Sequence, residues 1–119
     1  KKGLFMITAL GFPEALSREL GGTEKLLELG RQDVLAAARG KLQSRLLSER
    51  PIVLGGSPGL ELELLPREGA AIKVRIYATT NHIYEVSVYT SKSRLMSGNV
   101  EKFFASFALL ARLSGFDRA

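Results

Sequence analysis

LGGSPGLELELLPREGAAIKVRIYATTNHIYEVSVYT, residues 54–90, decides the fold. Leu60, Leu62 and Leu64 alternate with Glu61 and Glu63. Ile72, Val74 and Ile76 alternate with Lys73, Arg75 and Tyr77, and Tyr84, Val86 and Val88 alternate with Ile83, Glu85 and Ser87. An apolar period of two is the signature of a strand with one face buried. Turn-forming breaks, Pro66-Arg67-Glu68-Gly69 and Thr79-Thr80-Asn81, separate the three runs, so they read as a meander.

The loops set a register. A three-residue hairpin loop wants a left-handed residue at its last position, usually Gly or Asn. Arg67-Glu68-Gly69 and Thr79-Thr80-Asn81 both fit that rule. The first loop pairs Glu63 with Lys73 and Glu61 with Arg75; the second pairs Arg75 with Glu85. Arg75 is then expected between Glu61 and Glu85, with the apolar residues of all three strands on the opposite face. A slip of one residue would turn every side chain over, so the expectation is sharp.

Working outward, residues 46–54 read as a further strand, with Pro51 marking an edge or a bulge. Residues 55–59 (GGSPG) form a dense turn signal. Ser97 or Asn99 caps a closing helix, on which Val100, Phe103, Phe104, Phe107 and Ala111 share one face. The rings are expected against the leucine and valine face of the meander. Ser114-Gly115 ends that helix.

Upstream, residues 3–10 (GLFMITAL) are an apolar run of strand length that Gly11-Phe12-Pro13 terminates. Residues 14–20 suit a short helical turn, and Gly21-Gly22 breaks it. Thr23 opens a helical lead-in that Gly30 interrupts. Asp33 then reads as a better N-cap for a helix from Asp33 to Gln43, whose stripe carries Val34, Leu35, Ala37, Ala38 and Leu42.

Composition bounds the function. The 119 residues suit a single domain, with 45% hydrophobic and 24% charged residues. No cysteine is present, which removes disulfides, thiolate metal sites and a cysteine nucleophile. The net charge of +5 comes from lysines and arginines spread along the chain among acidic neighbours, with no basic run. Nucleic acid is therefore not the expected partner. No stretch of the sequence reads as a signal peptide, which processing could already have removed, and no run is long enough for a transmembrane segment. The chain begins at Lys1 and not at Met, which points to processing or to excision from a longer protein.

Few residues offer chemistry. His82 is the single histidine and sits at a turn. Glu61 and Glu63 are explained by their basic cross-strand partners. The glycine-rich turn lacks the Gly-Lys-Ser/Thr of a phosphate loop and joins strand to strand. Ser57 and Ser106 have no neighbouring base. No metal ligand set or cofactor is expected. Tyr77 and Tyr89 beside Arg75 and Glu85 form the candidate binding surface, since aromatics flanked by charge favour recognition.

The order of these segments is similar to a bacterial domain family of the Mog1/PsbP-like fold. The resemblance rests on LGGSPGLELEL (residues 54–64), RIY (75–77), NHIYEV (81–86) and VEKFFASF (100–107), covering most of residues 5–107. It implies an α+β fold, an antiparallel β-sheet meander packed with α-helices on both sides as an α/β/α sandwich of about five or six strands. Similar domains begin with an additional strand pair, so the resemblance implies a trimmed domain or a sheet completed by a partner. Leu60 stands where similar sequences place an Arg, and no functional residue carries over.

The expected function is a non-enzymatic binding or accessory module, with a protein as partner and a bacterial, cell-envelope or periplasmic setting. Two alternatives are a chaperone-like homodimer, formed through a sheet edge and holding an apolar peptide or membrane segment, and a small-ligand-binding protein or hydrolase.

Overall fold

Five of the apolar runs become strands of one antiparallel sheet. The computed structural model describes residues 4–40, 43–66, 69–95 and 97–113. The element order is β1 (Leu4–Gly11), α1 (Glu14–Leu20), α2 (Thr23–Arg39), β2 (Arg45–Leu54), β3 (Ser57–Leu65), β4 (Ala70–Ala78), β5 (His82–Ser91), a single 3-10 turn (Lys92–Arg94) and α3 (Gly98–Leu113). The strand order is β1-β5-β4-β3-β2, so β2 to β5 are the expected meander and β1 closes it on the far side of β5. Expectations that fall on Arg67, Glu68, Leu42, the Ala111 side chain and Ser114-Gly115 lie outside the described residues.

The sheet separates two apolar layers. On one face α2 sets Leu26, Val34, Leu35 and Ala38 against Leu62, Leu64, Ile72, Val74, Ile76 and Ile83. On the other, α3 sets Val100, Phe104 and Phe107 against Tyr77, Val86 and Val88. This is an α+β fold with helices on both faces of an antiparallel sheet.

The first hairpin register holds: Glu61 pairs with Arg75 and Glu63 with Lys73. Gly69 has the left-handed φ of 82° that its loop requires. The second hairpin corrects the expectation. Arg75 pairs with Val86, and Glu85 pairs with Ile76. Asn81 does not take the left-handed conformation, and the Thr79 N–H donates to the His82 carbonyl at 2.9 Å. Those bonds leave only Thr80 and Asn81 in the loop. The shift of one residue sends Glu85 to the α2 face and Val86 and Val88 to the α3 face.

The phenylalanines follow that shift and correct a second expectation. They lie on the charged face of β3 and β4, not on the leucine face. The Arg75 guanidinium sits 4.3 Å over the Phe104 ring, and Tyr77 stacks on Phe107 at 5.7 Å. Ser97 does cap α3, as its hydroxyl accepts from the Val100 N–H at 3.4 Å.

The GGSPG turn is tighter than expected. Gly55 and Gly56 alone form the loop, with φ of 56° and 84°, and β3 begins at Ser57 opposite Leu54. In β2, Pro51 lies on an edge strand as expected, and the register shifts between Leu46 and Ser48.

Helix α2 is one helix and Asp33 lies inside it, where a separate cap at Asp33 was expected. Gly30 is a contact residue, not a breaker. A Cβ there would stand 2.9 Å from Ile76 Cγ2 and 3.0 Å from Ile83 Cγ2. The helix accepts the propensity cost of glycine to approach the sheet. Gly30→Ala should therefore destabilise the protein by about 1 kcal/mol, as overpacking outweighs the gain in helix propensity. Chemical denaturation checks this; a stabilised variant would mean α2 does not sit this close.

Candidate functional site: a groove along the first strand

Helix α2 covers β3, β4 and β5 but leaves β1 bare. All eight residues of β1 are exposed. Among its apolar residues, Leu4 is 58% exposed, Met6 51%, Ile7 48% and Leu10 55%. Strand β1 pairs with β5 without a bulge from Leu4 to Gly11. It contains neither a charged residue nor a proline.

The opposite edge shows what protection looks like. Strand β2 carries Arg45, Glu49, Arg50, Pro51 and an irregular register, all devices that blunt an edge against foreign strands. Strand β1 has none of them among the described residues, so alternate N–H and C=O groups along it point away from β5 without such protection.

Between β1, β5 and α2 runs a groove made of two cavities of about 250 and 310 Å³. Leu4, Met6 and Val34 line one end, and Leu10, Phe12 and Leu29 line the other. Thr8, Asp33 and Glu85 belong to both cavities and form the waist. A mainly apolar channel thus has two carboxylates at its middle.

Their proximity alters Glu85. Burial pushes its carboxyl up to about 7, aided by a hydrogen bond with Asp33 and by the Asp33 charge. The protonated carboxyl can donate that bond; two carboxylates cannot share one without a proton.

The stability consequence has a definite sign. The folded pKa lies above the ordinary 4.5. Wild-type protein therefore loses stability as pH rises from about 4.5 to about 7. Glu85→Gln should raise stability at about pH 8 by on the order of 1 kcal/mol, discounted because the group is partly solvated, and change little at about pH 4. Thermal melts of both proteins across pH check this, and equal melting shifts at both pH values would overturn it.

The four candidate binding residues divide between the faces. Glu85 and Tyr89 line the groove. Arg75 and Tyr77 lie on the α3 face, where Arg75 Nε donates to Glu61 Oε2 at 2.9 Å and Tyr77 is buried. They brace α3 and form no common surface with the other two. Asp33, expected as a helix cap, and Thr8 complete the site. The available signal was an acid on the apolar stripe of α2, three residues beyond Gly30, which a capping role explained away.

His82 has structural surroundings. The His82 ring stacks on Tyr84 at 5.5 Å, and its Nδ1 lies 2.8 Å from Asn81 Oδ1. Among the described residues, no group of three or more His, Asp or Glu could hold a metal ion. No helix among them is long and apolar enough to cross a membrane.

No family model and no curated protein matches the chain. Among solved structures, the chain is similar to the solution structure of cyanobacterial PsbP (CyanoP) from Synechocystis sp. PCC 6803, with a TM-score of 0.52 at 15% identity. The match covers 86% of this chain and 62% of that one. At this identity the likeness is one of fold: the chain has a PsbP-like α+β architecture.

Proposed function

We propose that this chain is a non-enzymatic binding module of the Mog1/PsbP-like class, and that it receives an extended apolar segment of another protein as an added strand on β1. The observation that carries this reading is the contrast between the two sheet edges. One is charged, kinked and proline-bearing; the other is straight, uncharged and apolar on both faces. Strand addition would satisfy the outward backbone groups of β1 and cover Leu4, Met6 and Leu10 together. The groove is lined mainly by apolar side chains around Asp33 and Glu85, which suits a bound segment of chain.

Titration of isotope-labelled protein with a capped peptide of alternating valine and threonine tests the reading. Amide shifts and exchange protection are expected along β1 and not along β2. A silent β1 would sink it. The edge could instead be occupied by a second copy, as in the chaperone-like homodimer. Sedimentation should give the mass of one chain. A two-chain mass that Met6→Lys abolishes would assign the edge to self-association and overturn the proposal.

A further inference from the structure

The strand-addition reading leaves the chemistry of the partner open, and the waist of the groove narrows it. We propose that the segment bound along β1 carries one lysine or arginine on its inward face, placed to pass over Thr8 and meet Asp33 and Glu85. The inference rests on the reading above and adds a sequence requirement for the partner.

Three features carry it. The first is charge complementarity: the groove is mainly apolar and uncharged at both ends and acidic only at its middle. A fully apolar segment would cover Asp33 and Glu85 without a counter-charge, which costs binding free energy. An acidic segment would add repulsion.

The second is the shape of β1. Its inward residues are Leu4, Met6, Thr8 and Leu10, which face Tyr89, Ser87, Glu85 and Ile83 on β5. Thr8 is the shortest of the four and lies directly beside Glu85. The wall of the groove is therefore lowest where the acids are. Lysine and arginine are long enough to cross one strand spacing of about 4.8 Å and bring their charge to that point. Their aliphatic stems would lie against Met6 and Leu10.

The third is the alternative occupant. Residues Leu4–Gly11 contain no lysine or arginine, so pairing β1 with its own copy places no basic residue of β1 at either waist. A foreign strand can supply what β1 cannot.

The test uses three capped peptides of alternating valine and threonine that carry lysine, norleucine or glutamate at the central inward position. Affinities are measured at about pH 8, where Glu85 is ionised, by amide shifts of β1. The lysine peptide should bind at least about tenfold more tightly than the norleucine peptide, and the glutamate peptide most weakly. Raising the salt should reduce the lysine preference. The Asp33→Asn, Glu85→Gln double variant should bind the lysine and norleucine peptides equally, with β1 still responding.

Equal binding of lysine and norleucine peptides to wild-type protein, with β1 shifts intact, would overturn the basic-residue requirement and leave strand addition standing. A lysine preference that survives the double variant would overturn it too. Absence of β1 shifts with all three peptides would overturn both proposals.

Discussion

Phe104→Ala should cost about 4 kcal/mol, close to the whole stability of a marginal domain. Phe104 is 3% exposed and packs with Val86, Val88, Val100 and Phe107 in the layer under α3. Truncation removes the ring's apolar burial and leaves a cavity between helix and sheet, together about 3–5 kcal/mol. It also removes the surface beneath Arg75, whose guanidinium lies 4.3 Å from the ring centroid. A partly buried cation over an aromatic face is worth about 1 kcal/mol. Phe103 gives the contrast: its ring is only partly buried and meets exposed Phe5 at 4.9 Å. Phe103→Ala should cost no more than about 2 kcal/mol. Urea denaturation of both variants checks this. Equal losses would place the rings on the wrong face.

Glu61→Gln should destabilise the protein by about 2–3 kcal/mol at neutral pH. The Glu61 carboxylate is buried and accepts from Arg50 Nε and Arg75 Nε, each at 2.9 Å. The amide keeps the shape but leaves Arg75 and buried Lys73 without that negative charge. The full cost of breaking a buried pair is about 3–5 kcal/mol, reduced here because Arg50 reaches solvent. Burial pushes the Glu61 carboxyl up, but the Arg75 and Arg50 hydrogen bonds and the Lys73 charge outweigh it and hold the pKa below the ordinary 4.5. Its contribution is thus complete above about pH 4.5 and is lost as pH falls through the lower folded value. The gap between Glu61→Gln and wild type should close in acid. A gap that stays constant down to about pH 2 would show that Glu61 contributes shape and not charge.

Glu61 and Glu85 make opposite demands. Stability rises with pH while Glu61 ionises and falls toward neutrality as Glu85 ionises. Two carboxylates on one sheet differ in this way because one meets arginines under α3 and the other meets Asp33 under α2.

How each part could be read from residues differs by loop and face. The β3–β4 register was legible because Gly69 must supply a left-handed turn and the Glu61–Arg75 and Glu63–Lys73 pairs agree with it. The β4–β5 register was not, because Thr79-Thr80-Asn81 suits two loop lengths and the Thr79–His82 bond selects the shorter. Gly30 looked like a helix breaker because its reason, contact with Ile76 and Ile83, lies more than forty residues away in the chain. Asp33 looked like a cap because Gly30 was read as the end of the preceding helix and an apolar stripe begins at Val34.

The amino-acid order by itself determined the strands, the closing helix, the charged pairing of β3 with β4 and the absence of cysteine chemistry. Those features depend on local periodicity and turn geometry, which nearby residues fix. Only the tertiary structure decided that α3 packs on the charged face, that β1 is an uncovered edge beside β5, and that Asp33 and Glu85 share a groove. Each depends on which face a strand presents after a one-residue slip and on which neighbours a helix reaches. Those are long-range packing outcomes that no local pattern encodes.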